Sequence, residues 1–279
     1  MLLLHGMPTW SYLYRTVIPA LVAAGYRCIA PDHLGFGKSD KPTDPNWYSI
    51  ARHTEVLTSL ITALDLSDVS LVCQDWGGPI GLAQAATMPT RFSRLLIMNT
   101  WLHHPEFDYS PAIQRWNMSW QEGGLFHRNK PDVGTLVALS AGLITREQAI
   151  PVIVGETEPD DFGAAAAACR SAYLAPFQGL EDAAYNGLRR FPLSIPFSDY
   201  ARGNGAAQTL HFDLMKTWDK PAHFIWGAAD DIFLAAWGRQ WAASFSRSTF
   251  YSIEKAGHFL QDTHGKEIAE RLLSCIGDE

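Results

Sequence analysis

The chain has 279 residues, 47% of them hydrophobic and 18% charged, which excludes a disordered or fibrous protein and suffices for one core with a sizeable insertion. A formal net charge of −7 argues against nucleic acid or an anionic membrane as partner, since both attract a basic surface. Cys28, Cys73, Cys169 and Cys275 form no Cys-x-x-Cys pair, so they read as buried free thiols in a reducing cytosol.

The opening Met1-Leu2-Leu3-Leu4-His5-Gly6 lacks the basic flank of a signal peptide and reads as a buried strand, Leu2–Leu4. No apolar run reaches the length of about eighteen residues that a membrane span needs. Tyr12–Ala24 reads as a helix stopped by Gly25, and Cys28–Ala30 as a strand ending at Pro31-Asp32. A long helix follows, with Ile50, Val56, Leu57, Leu60, Ile61 and Leu64 on one face. Next come strand Val69–Cys73, a tight Gly77-Gly78 turn, helix Pro79–Ala86 and strand Leu95–Asn99. This alternation predicts a mostly parallel sheet with helices on both faces.

The alternation breaks near Trp101. Residues 105–209 read as a helical, aromatic-rich insertion, and the α/β pattern resumes with strand His223–Trp226. A helix at Ala235–Phe245, strand Thr249–Ile253 and a final helix bearing Ile268, Ala269, Leu272, Leu273 and Ile276 complete it. The expected organisation is an α/β core in two parts, 1–104 and 210–279, interrupted by a helical cap. Such an insertion follows the carboxyl end of a strand, where ligands bind in open α/β sheets, and is placed to act as a lid.

Leu71-Val72-Cys73-Gln74-Asp75-Trp76-Gly77-Gly78 is the most informative segment. It has the strand–turn–helix form of a nucleophile elbow, with aspartate in place of serine. Alone, Asp75 would also suit the lesser role of a helix N-cap. Asp230 and His258, each in a loop after a later strand, change that balance. The order Asp75, Asp230, His258 is the nucleophile–acid–histidine order of such folds. Asp230 is preferred to its neighbour Asp231 because it lies three residues past Gly227, where the loop can turn it inward. The loop His5-Gly6-Met7-Pro8 would lend the Met7 amide to an oxyanion hole, paired with the amide of Trp76. His103-His104 and Arg189-Arg190 read as solvated surface, with no metal site implied.

At these motifs the sequence resembles the haloalkane dehalogenases of the α/β-hydrolase superfamily, essentially from end to end. The resemblance includes the run from His5 to Arg15, the run from Pro31 to Pro42, Gln74-Asp75-Trp76-Gly77-Gly78, Ala172-Tyr173-Leu174-Ala175-Pro176-Phe177, Arg190-Phe191-Pro192 and Gly257-His258-Phe259-Leu260-Gln261. It implies an α/β-hydrolase fold with a helical cap. It also implies cleavage of a carbon–halogen bond in a small apolar substrate to alcohol, halide and proton, with no cofactor or metal. Asp75 would then be the nucleophile and Trp76 a halide donor through its indole N–H. Met7 offers no polar side chain as a second donor, and the segment before Ala172, with Phe162 and alanines, offers no tryptophan. Trp116 and Trp120 are lid candidates for that role, though large aromatics more often pack in a core.

The resemblance further implies a strand hairpin ahead of Leu2, so the expectation is a natural protein that starts upstream. Two rival functions share the chain's features. An epoxide hydrolase would need two lid tyrosines, for which Tyr173, Tyr185 and Tyr200 are available. A catalytically idle ligand receptor would have no use for all three of Asp75, Asp230 and His258.

Overall fold

Five strands, β1 (Leu2–Leu4), β2 (Val69–Gln74), β3 (Phe92–Met98), β4 (Ala222–Gly227) and β5 (Ser248–Ile253), pair in sequence order and all in parallel. Parallel strands need their crossovers on the sheet's faces, which is why β1 and β2 are buried along their whole length without polar alternation. The computed structural model describes residues 1–127, 130–157, 162–199 and 202–277. Of the tyrosines considered above, Tyr200 lies outside the described residues.

The predicted strand at Cys28–Ala30 is reduced to one bridge beside β1: Ile29 donates its amide to the Met1 carbonyl and accepts from the Leu3 amide, both at 2.8 Å. Pro31, which has no N–H to give, follows at once. The predicted helix over Tyr12–Ala24 is split into a short 3-10 turn, Ser11–Tyr14, and α1 (Ile18–Ala23). Pro19 explains the break, because its ring would clash with the carbonyl four residues earlier in a continuous helix.

Helix α2 (Ile50–Ala63) starts on Ser49, whose hydroxyl accepts from the Arg52 amide at 3.2 Å. Its buried stripe is Ile50, His53, Leu57 and Ile61, whereas Val56 and Leu64, predicted to face inward, are 40% and 42% exposed. Helix α3 (Gly77–Thr87) follows β2 and is buried along most of its length. After β3 come α4 (Pro111–Trp120), α5 (Val133–Ser140), α6 (Arg146–Ile153), α7 (Ala164–Leu174) and α8 (Asn186–Leu193). Helix α9 (Gly205–Met215) returns to pack on α3; α10 (Ala235–Ala242) and α11 (Leu260–Gly277) complete the chain's helices among the described residues. No described helix is long and apolar enough to cross a membrane.

One polar cluster ties α7 to α11. The Tyr173 hydroxyl donates to Asp262 Oδ2 at 2.7 Å, and Arg15 reaches Asp262 Oδ1 at 2.7 Å. Burial raises the Asp262 carboxyl above its ordinary range, and Arg15 opposes that rise. Asp262→Ala would leave a buried hydroxyl and a guanidinium without their acceptor. Because Arg15 retains 29% exposure, the expected loss is about 2 kcal/mol, below that of a fully buried pair. Chemical denaturation of Asp262→Ala and Asp262→Asn checks this; Asn, which keeps an acceptor for Tyr173, should lose less.

Candidate active site

Strand β2 runs straight into Asp75, whose φ of 50° lies in the left-handed region. A side-chain-bearing residue reaches that region only when its surroundings hold it there. Here the Asp75 amide donates to the Asn99 carbonyl at 3.0 Å. Its own carbonyl accepts from the Gly78 amide at 2.9 Å and from the Thr100 hydroxyl at 2.5 Å. Three glycines make room for the turn. A Cβ at Gly77 would meet the Leu4 carbonyl oxygen at 2.5 Å, one at Gly78 would overlap the Thr100 hydroxyl, and one at Gly6 would overlap the Asp75 carboxylate.

The turn aims the Asp75 carboxylate at His258, in the loop between β5 and α11. His258 Nε2 lies 3.4 Å from Asp75 Oδ2, and Nδ1 lies 2.9 Å from Asp230 Oδ2. An ionised carboxylate only accepts, so Nδ1 carries the proton shared with Asp230. Asp230 is held in turn by the Asn99 side-chain amide at 2.6 Å and by the Ile232 amide at 2.8 Å. Asn99 is fixed through its own oxygen, which accepts from the Gly227 amide at 2.8 Å. Asp75, Asp230 and His258 are 6%, 4% and 4% exposed, while Asp231 stands exposed at the surface. Burial alone would lower the imidazole's pKa; Asp230 and then Asp75 outweigh it and push His258 up to about 10.

The Met7 amide donates to Asp75 Oδ1 at 2.8 Å, opposite the oxygen that faces His258. Trp76 is buried just ahead of α3, where the first backbone N–H groups have no helical acceptor. Asp75, Trp76 and His258 share an enclosed, mostly apolar cavity of about 50 Å³. Trp116 of α4 also lines it, whereas Trp120, one turn on, is buried against Phe126 with ring centres 4.9 Å apart. A wider cleft of about 480 Å³, which Trp116 and His258 also line, adjoins the cavity.

Three contributors were not singled out from the sequence. Trp101 lines the cavity edge-on to Trp76, with ring centres 4.6 Å apart. Tyr109 lines it with its hydroxyl 2.7 Å from His103 Nδ1. Asn99 orients Asp230. Asn99 and Trp101 follow the carboxyl end of β3, and that position, rather than any motif, was the available signal. Tyr173 and Tyr185 lie elsewhere, bonded to Asp262 and to the Phe177 carbonyl. His104 stacks on Phe212 at 3.9 Å, and among the described residues no three His, Cys, Asp or Glu side chains group to hold a metal. Arg189, expected on a solvated face, pairs with Asp182 at 2.5 Å.

The arrangement sets a buried carboxylate beside a histidine whose other nitrogen faces a second carboxylate, at the wall of a mostly apolar cavity. Residues 1–265 match the family model described as alpha/beta hydrolase fold. A haloalkane dehalogenase of Psychrobacter cryohalolentis is 34% identical, covering 99% of this chain and 83% of the relative. Haloalkane dehalogenase 1 of Mycobacterium tuberculosis is 38% identical, covering 98% and 82%. Among solved structures, a tetrameric haloalkane dehalogenase of Paraglaciecola agarilytica NO2 superposes with a TM-score of 0.79 at 33% identity, covering 98% of this chain and 82% of the other. With relatives matched along nearly its whole length, the chain belongs to the haloalkane dehalogenases, within the α/β-hydrolase fold.

Proposed function

We propose that this chain hydrolyses carbon–halogen bonds of small haloalkanes through an aspartyl ester on Asp75. The observation that carries the reading is His258 suspended between Asp75 and Asp230 at the wall of an apolar cavity. Asp75 Oδ2 attacks the carbon bearing the halogen; a C–O bond forms, the C–X bond breaks, and halide leaves with the electron pair. His258 Nε2 then takes a proton from water, whose oxygen adds to Cγ of Asp75. The tetrahedral oxyanion falls on Oδ1, within reach of the Met7 amide, with the Trp76 amide as the second donor. Its collapse breaks the Cγ–O bond, the departing alkoxide takes the proton from His258 Nε2 and leaves as alcohol, and the proton of the added hydroxyl passes to solvent, restoring the carboxylate.

The leaving halide needs hydrogen-bond donors in a mostly apolar cavity. Trp76, next to the nucleophile, is one, and Trp116 is the other, since of the two cap tryptophans it alone lines the cavity. The substrate enters through the adjoining cleft, which Trp116 and His258 also line. No cofactor or metal takes part. Residues 1–104 and 210–279 form the catalytic core and 105–209 the lid. Free thiols fit a cytoplasmic location. An epoxide hydrolase would need two tyrosine hydroxyls on the cavity, and Tyr173 and Tyr185 are engaged elsewhere.

The first test is halide release from 1,2-dibromoethane set against diol formation from styrene oxide: halide with little or no diol is expected, and diol alone would overturn the assignment. Trp76→Phe and Trp116→Phe should each lower halide release by about 10²-fold, the usual effect of removing one donor from developing negative charge. Trp120→Phe should change it little. If Trp101→Phe has the large effect and Trp116→Phe none, the second donor is Trp101.

The charge arrangement gives a further expectation. Because the folded chain raises the His258 pKa, its protonation stabilises the fold fully below the unfolded value near 6.5. That contribution is lost as pH rises toward about 10. In Asp230→Asn, NMR titration of the imidazole should move to lower pH; the fall in stability, which starts near the unfolded value in both chains, should be smaller and end at correspondingly lower pH. An unchanged titration would contradict Asp230 as the principal partner.

A further inference from the structure

Gln74, the last residue of β2, is fully buried, and its amide lies against His258 rather than against the sheet. Its Nε2 donates to the His258 backbone carbonyl at 3.2 Å and lies 3.3 Å from His258 Nε2. The opposite amide orientation would set two carbonyl oxygens face to face, so the NH2 group is the end that meets the histidine. One of its hydrogens serves the carbonyl and the other points toward the ring nitrogen. An imidazole nitrogen accepts only when it carries no proton. Gln74 therefore bonds the free base, and an imidazolium N–H would meet its N–H head-on.

Nε2 thus has two neighbours that favour opposite states. The Asp75 carboxylate, 3.4 Å away, favours the protonated ring. Gln74 favours the unprotonated one. Asp75 and Asp230 are the charged groups facing the ring; Phe233 and Phe259 pack on it at 5.5 and 4.6 Å and carry no charge. Asp231 and Lys255 line the outer cleft with His258 and are exposed to solvent. When Asp75 becomes an alkyl ester its negative charge disappears, while Gln74 stays where it is.

We propose that Gln74 is a positioning residue that holds His258 as the free base, Nε2 unprotonated, during hydrolysis of the ester. The inference rests on the mechanism proposed above, in which Nε2 receives the water proton as the hydroxyl oxygen bonds to Cγ of Asp75 and hands a proton on to the departing alcohol. Gln74 then sets the pH at which this second step becomes fast, and it takes no part in the first.

Rapid-quench single turnovers over a range of pH, with halide and ester-bearing peptide measured separately, test the assignment. In Gln74→Met, which keeps the side chain's volume, ester formation should stay within about two-fold of the unsubstituted chain. The midpoint of ester hydrolysis should move up by about one pH unit, the effect of one hydrogen bond to the neutral ring. Hydrolysis should accordingly slow by about ten-fold below that midpoint, with the high-pH plateau retained. Gln74→Glu, which replaces the donor with a charged acceptor, should move the midpoint further in the same direction. A lowered plateau with an unmoved midpoint in both variants would mean that Gln74 merely braces the loop, and would overturn the proposal. Absence of any ester on Asp75 in the unsubstituted chain would instead overturn the mechanism on which it rests.

Discussion

At Asp75 the chain leaves a buried strand and enters a helix through a left-handed backbone conformation, and the site's other parts are arranged around that turn. A non-glycine residue in such a conformation carries strain of roughly 1–3 kcal/mol. The strain is held by bonds from two neighbouring elements: Asn99 and Thr100, just after β3, bind the Asp75 backbone, and Met7, just after β1, binds its carboxylate. Gly6, Gly77 and Gly78 are glycines because a Cβ at any of them would enter the space of Asp75, Leu4 or Thr100. The turn projects a carboxylate beyond the sheet's edge while the adjacent strands fix its direction to within a hydrogen bond.

Asn99 links this turn to the acid that orients the histidine. Its backbone carbonyl receives the Asp75 amide, and its side chain bridges the Gly227 amide and Asp230. Movement at one carboxylate is therefore mechanically connected to the other through a single residue. Electrostatically the ring lies between two anions in a buried setting, which explains why it holds a proton so firmly in the free chain. Conversion of Asp75 to a neutral ester, as proposed, would relieve that hold. In the proposed mechanism the charge that disfavours a free base before attack would be removed by the attack itself, leaving a base for the second step.

Much of this was legible in the sequence, for identifiable reasons. Parallel strands buried on both faces read as continuous apolar runs, so Leu2–Leu4 and Val69–Cys73 stood out, as did the glycines that a sharp turn demands. Asp75, Asp230 and His258 were recognisable because each follows a strand end in a fixed chain order. Periodicity was weaker where helix faces were concerned: Val56 and Leu64 are apolar but exposed, since a period of 3.6 residues does not say how wide the buried stripe is. The Tyr12–Ala24 helix failed at Pro19, a local rule that the apolar pattern overrode. Trp101, Tyr109 and the partner of Gln74 were hidden because they are long-range facts. Which indole faces a cavity and which, like Trp120, packs against a phenylalanine depends on how the cap settles on the sheet.

In the proposed mechanism the oxygen delivered to the product comes from Asp75, and water repairs the carboxylate afterwards. A single turnover in heavy-oxygen water, with enzyme in excess over a short bromoalkane, tests it directly. The first-turnover alcohol should carry light oxygen, and the heavy label should appear in the peptide containing Asp75. Heavy oxygen in the first alcohol, with an unlabelled Asp75 peptide, would mean that water displaces halide directly and would contradict the account.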